Sequence, residues 1–142
     1  MYFEEFMANR PIWAAIVSWT IAQVLKIILT LIEEKKLDIT RMYGSGGMPS
    51  SHSALSVALA FSVGKNFGFD KPSFAVALIL AFIVMYDAAG VRRAAGQQAA
   101  AINILFSHNG MKLEEQLKEL LGHTPLQVFM GAILGIVVGL VY

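Results

Sequence analysis

The length of the uninterrupted apolar runs limits this chain more than any other feature. From Ile12 to Ile32 the only polar side chains are scattered Ser and Thr, Gln23 and Lys26. As a helix, that stretch is long enough to cross a hydrocarbon core of about 30 Å. Three further apolar runs extend from about Pro49 to Gly64, from Pro72 to Tyr86, and from Pro125 to Tyr142. Each begins at a proline, which suits a first helical turn because the missing N–H would have had no partner there. Spans of about 20 residues each use more than half of a 142-residue chain, so a single domain over 1–142 is expected. Backbone groups in lipid need internal partners, and the alternating pattern of a barrel is absent. The predicted fold is therefore all-α, an integral membrane bundle of four transmembrane helices.

Composition agrees. Only 15% of residues are charged, against about 25% in ordinary soluble domains, and the mean hydropathy is +0.61. The N-terminus MYFEEFMANR is acidic, with no small-residue cleavage site before the first apolar run, which reads as a retained membrane segment rather than a signal peptide. Eleven basic residues against ten acidic ones leave a net charge of +1, which argues against a nucleic-acid partner. Without cysteine there is no disulfide, thiolate metal site or cysteine nucleophile. No cluster of ligands suggests a metal or other cofactor.

The connections differ in character. Glu33 to Arg41 is polar and runs into the flexible YGSGG, and Lys65 to Lys71 reads as a turn. Arg92 to Gly122 is a longer polar stretch. Within it Leu113, Leu117, Leu120 and Leu121 recur at helical spacing among charged residues, predicting a short amphipathic helix at the membrane surface before the last span. In the last span Gly131, Gly135 and Gly139 form a small-residue ridge that signals close helix packing, either inside the bundle or across a homodimer.

This topology brings Arg41, His52, Asp87, Arg92, Arg93 and His123 to one side of the membrane. Arginine forks match phosphate oxygens and stay protonated. The helix starts at Pro49 and Pro125 aim free N–H groups at the same region. A dianionic oxygen ligand, phosphate, fits best.

The segment GGMPSSHSA, from Gly46 to Ala54, resembles the second motif of the type 2 phosphatidic acid phosphatase superfamily. Together with MYDAAGVRRAAGQQA and LGHTPLQVFMGAILG, it is similar to the divergent branch of that superfamily related to acid phosphatase and vanadium-dependent haloperoxidase. The resemblance implies that His123 attacks phosphorus to form a phosphohistidine and that His52 protonates the leaving oxygen. It further implies that Ser50 and Ser51 donate to phosphoryl oxygens. Arg92 or Arg93 would replace the third-motif arginine, and Lys26 or Arg41 the first-motif lysine and arginine. The chain departs from the pattern in three places: Met42 follows Arg41 where proline is usual, Leu117 stands where an arginine is expected, and Gln127 replaces an acid. Gln127 lies one turn from His123 and can fix its tautomer, while Asp87 can supply the missing charge.

Plainer roles stand beside these. Lys26 can snorkel to the headgroups, although Gln23, Lys26 and Thr30 share a helical face. Asp87 can simply pair with Arg92 or Arg93. His108, in an SHNG turn, reads as solvated surface.

The expected function is a metal-independent lipid phosphate phosphatase of the cytoplasmic membrane. Phosphatidylglycerol phosphate or phosphatidic acid is the favoured substrate, with polyprenyl pyrophosphate as an alternative. A non-catalytic lipid-phosphate-binding protein and a small oligomeric transporter with a polar path through Lys26 and Asp87 are the rivals. Lys35, Lys36, Arg41, Arg92, Arg93, Lys112 and Lys118 on the site side outnumber Arg10, Lys65 and Lys71. This puts the site on the cytoplasmic face, although setting the arginines aside as ligand binders nearly removes the bias.

Overall fold

The computed structural model describes residues 2–34, 47–108, 117 and 122–142. Helices α1 (Tyr2–Met7), α2 (Arg10–Glu34), α3 (Ser51–Phe67), α4 (Pro72–Ala89), α5 (Val91–His108) and α6 (Pro125–Val141) follow one another, and no strand occurs among the described residues. Arg41, Lys35, Lys36 and the expected amphipathic helix around Leu113, Leu120 and Leu121 lie outside those residues.

α3 is the central element and packs against α2, α4 and α6. Its buried face is made of small residues, among them Ser53, Ala54, Ala58, Ala60 and Ser62. Small side chains let helix backbones approach closely, which is how helices associate where lipid removes the usual hydrophobic drive. The hydroxyls are satisfied locally: Ser18 Oγ on α2 donates to the Ala54 carbonyl at 3.0 Å, and Ser56 Oγ to that of His52 at 2.9 Å. Large apolar side chains point the other way, with Ile79, Phe82, Ile83, Phe129 and Val137 all exposed. Small residues inside and large apolar ones outside suit a hydrocarbon surround.

The glycine ridge of α6 is spent within the chain. A Cβ on Gly135 would lie 2.8 Å from the Ala54 carbonyl oxygen and 2.8 Å from Val57 Cβ, and one on Gly139 would lie 2.6 Å from the Ala58 carbonyl oxygen. Gly131 packs against the Ser50 carbonyl in the same manner. Within the chain, α3 covers the Gly131, Gly135, Gly139 face that was considered for a homodimer.

Two helical stretches, Arg10–Ile32 and Pro72–Ser107, are long and apolar enough to cross a membrane, and Pro125–Val141 is a shorter apolar helix. The second stretch contains two helices that meet at Gly90, whose N–H bonds the Tyr86 carbonyl at 2.8 Å. α5 itself corrects the polar connection expected after Arg92. The run AAGQQAAAINIL is rich in strong helix formers, and local propensity prevails there over low hydropathy. α3 also starts later than expected. Ser50 is its N-cap, accepting from the Ser53 N–H, and Pro49 lies outside the helix after a cis Met48–Pro49 bond.

Candidate functional site

Three helix ends and one buried lysine meet on one side of the bundle. The Ser50 N–H donates to the Gln127 carbonyl at 2.9 Å, fastening the start of α3 to the first turn of α6. The His123 N–H donates to the Ala88 carbonyl at 2.9 Å, fastening the segment before α6 to the end of α4. Gly122 makes that approach possible. Its φ of +85° is left-handed, and a Cβ there would collide with the Arg92–Arg93 backbone.

α6 begins with a capping box. Thr124 caps the helix, accepting from the Gln127 N–H at 3.4 Å, and Gln127 Oε1 accepts the Thr124 N–H at 3.1 Å. The same oxygen faces His123 Nδ1 at 3.2 Å. An oxygen that already takes a backbone N–H can only accept, so the His123 proton sits on Nδ1 and the lone pair on Nε2. His123 is 2% exposed, and its Nε2 has no hydrogen-bond partner among the described residues. Burial pushes its pKa down to about 4 against the opposing pull of the Gln127 oxygen. The charges of Lys26 and His52 add to the lowering, and the Gly47 carbonyl counters it. The ring is neutral at physiological pH, with a lone pair on the buried Nε2.

The His52 ring centroid lies 6.1 Å from that of His123, with the rings edge to face. Its Nε2 is 3.0 Å from Arg92 Nη1. A guanidinium only donates, so Nε2 accepts, and the proton resides on the buried Nδ1, which has no partner among the described residues. Arg92 Nε also donates to Asp87 Oδ2 at 2.7 Å, a half-exposed ion pair. Among the described residues Arg92 touches His52, and Gln127 faces His123.

Lys26 does not snorkel. It is 1% exposed, Gly47 (φ +94°) packs against its aliphatic stem, and its Nζ has no partner among the described residues. Ser50 and Ser51 are buried, and the Ser50 oxygen accepts from Ser53 Oγ at 3.0 Å in addition to its capping bond. No group of three or more His, Asp or Glu side chains able to hold a metal occurs among the described residues. Sequence reasoning missed the capping box, although Thr-Pro-Leu-Gln carries its signature of a hydroxyl followed three residues later by Gln. It also missed the Asn103 side chain, which bonds both backbone groups of Leu117 at 2.8 and 3.0 Å.

The profile of the Divergent PAP2 family matches residues 7–138. An uncharacterized membrane protein of Bacillus subtilis (strain 168), YuiD, is 40% identical over 151 aligned positions that cover 96% of each chain. No solved structure matches.

Proposed function

The chain belongs to the Divergent PAP2 family, and from that premise we propose that it is a membrane-embedded lipid phosphate phosphatase working through a phosphohistidine. The observation that carries this reading is a set of buried polar atoms without partners among the described residues, Lys26 Nζ, His123 Nε2 and His52 Nδ1. A buried ammonium without a partner is costly, and an anion that accepts from it offsets the cost.

His123 Nε2 attacks phosphorus as the bond to the leaving oxygen breaks, and His52 supplies the proton that oxygen requires. In the resting arrangement Arg92 occupies His52 Nε2, leaving only the Nδ1 proton to give. A phosphate that draws the Arg92 fork to its own oxygens frees Nε2 to take up a second proton, turning a weak acid into a competent one. Water then cleaves the phosphohistidine with His52 as base. Ser50, Ser51, Arg41 and Arg93 are secondary phosphate contacts in this scheme.

Membrane association follows from the apolar helices and from the relative's description as a membrane protein. We take α2, α3, α4 and α6 as four spans. α3 needs little hydropathy because its neighbours shield it from lipid, and its 17 residues reach about 25 Å. The favoured substrates are phosphatidylglycerol phosphate and phosphatidic acid, with the site on the cytoplasmic face.

Gln127 favours one second reading, a non-catalytic lipid-phosphate binder, because an amide cannot stabilise an imidazolium as a carboxylate does. Rapid acid-free quenching after mixing with radiolabelled phosphatidic acid separates the two. The phosphatase traps an acid-labile phosphohistidine that His123→Ala abolishes. Bound lipid phosphate without any such adduct leaves only the binder.

A further inference from the structure

Two apolar grooves flank α6. One, about 520 Å³, lies against α4 and is lined by Phe82, Met85, Tyr86, Val128, Phe129 and Ala132, among others. The other, about 300 Å³, lies against α2, where Leu25 and Leu29 face Met130, Ile133, Leu134 and Val137. In the second groove the α6 residues recur at i, i+3, i+4 and i+7, so they form one stripe about 10 Å long.

We propose that the groove between α2 and α6 is the site for the hydrocarbon chain of the phosphate-bearing lipid, a proposal that rests on the phosphatase reading for the headgroup end. Its walls include chain neighbours of Lys26, whose Nζ has no partner among the described residues. Leu25 and Leu29 bracket Lys26 on α2, and Met48 and Pro49, which also line the groove, separate Gly47 on the Lys26 stem from the Ser50 cap. A phosphate held by Lys26 and His123 thus has apolar surface next to it on the α2 side. The α4 groove opens differently. Tyr86 and Ala89 in its lining bracket Asp87, whose carboxylate is 39% exposed, so an anionic headgroup approaching there meets like charge that Arg92 only partly offsets. Charge therefore selects between two grooves that are equally apolar.

The occupant is the lipid chain itself rather than a protein helix. Exposed Leu25, Met130, Ile133 and Val137 stand on the apolar exterior of the bundle, where surrounding acyl chains are already the solvent. The anionic headgroup turns that nonspecific contact into a specific one.

The test places the protein in phosphatidylcholine nanodiscs with a phosphatidic acid carrying a diazirine in one acyl chain, and with a phosphatidylcholine carrying the same chain. Crosslinks mapped by mass spectrometry should favour the α2–α6 groove at least about fivefold for phosphatidic acid over phosphatidylcholine, and the preference should vanish in Lys26→Met. Equal labelling by both probes, or preferential labelling at Phe82, Val128 and Phe129, overturns the assignment. Ile133→Trp and, independently, Val137→Trp should raise KM roughly tenfold for a long-chain phosphatidic acid and leave a dibutyryl analogue unchanged, the size expected from losing the burial of about two methylenes. An equal effect on both substrates also overturns it. Labelling needs no hydrolysis, so selective crosslinking without phosphate release refutes the phosphatase reading and leaves the groove standing. Release with unselective labelling refutes the groove alone.

Discussion

The polar site has a floor and a rim, and they are built on opposite terms. On the floor Lys26 and His123 are 1% and 2% exposed, yet Nζ of one and Nε2 of the other have no partner among the described residues. On the rim the Arg92 and Asp87 side chains are 43% and 39% exposed and bonded to each other, with His52 held by the same arginine. A buried group without a partner is a strained commitment that a ligand relieves, whereas exposed groups that satisfy one another can exchange partners at little cost. In the proposed mechanism the floor holds the phosphate and the rim rearranges around it.

The largest expected effect removes the chemistry that the floor and rim share. His123→Ala and His52→Ala should each lower steady-state phosphate release at least about 100-fold in purified, folded protein. Retained turnover in either variant removes its residue from the mechanism. The pH profile sharpens the contrast further. The folded pKa of His123, about 4, lies below the ordinary value of about 6.5, so its nucleophilic form persists until the pH approaches 4. Between those values the unfolded chain binds a proton that the folded chain does not, and the stability contributed by the neutral ring is lost as pH falls through that window. An acid limb in phosphohistidine formation near 6.5 would contradict the buried, neutral ring.

Next in size is the floor's cation. Lys26→Met should weaken binding of inorganic phosphate roughly 10- to 100-fold, the range for a charge-assisted hydrogen bond of about 1.5–3 kcal/mol, as read by isothermal calorimetry. It should leave helix content intact, since it removes an uncompensated buried charge. Unchanged affinity would make Lys26 a structural residue. On the rim, Arg92→Lys should cost about tenfold in kcat/KM because a point charge cannot reproduce a fork shared between His52 and phosphate. Equal rates would transfer the role to Arg93. The smallest effect belongs to Gln127→Glu, which preserves the capping box and should speed the phosphohistidine burst by no more than about tenfold. Combined with Asp87→Asn it should act additively, because the two side chains serve different partners. A non-additive cycle would show that Asp87 also supports His123.

Much of this was legible in the sequence because its signals are local. The apolar runs located α2, α3, α4 and α6, and Thr124-Pro125 marked the start of α6 where the structure has it. α5 escaped because its helical tendency comes from alanine and glutamine rather than from a hydrophobic stripe, and Gly90 and Gly96 interrupt its reading. The histidines could be paired from helix topology and family resemblance. The choice of Arg92 over Arg93, and of Gln127 over Asp87 as the partner of His123, could not, since adjacent arginines differ only in the direction a helix start gives each side chain. The burial of Lys26 was likewise invisible. It depends on Gly47, 21 positions away in the chain, presenting a bare backbone to the lysine stem.

The glycine ridge gives the site a mechanical property. His52 rides on α3 and His123 stands just before α6, and Gly131 puts the α6 backbone directly against the Ser50 carbonyl at the α3 cap. Where two helices touch through backbone and Cβ atoms, their separation is a machined fit that does not drift as side chains change rotamer. The gap between the two imidazoles is thus gauged by atoms that cannot swing, which lets a small bundle keep its tolerances while the lipid around it flows.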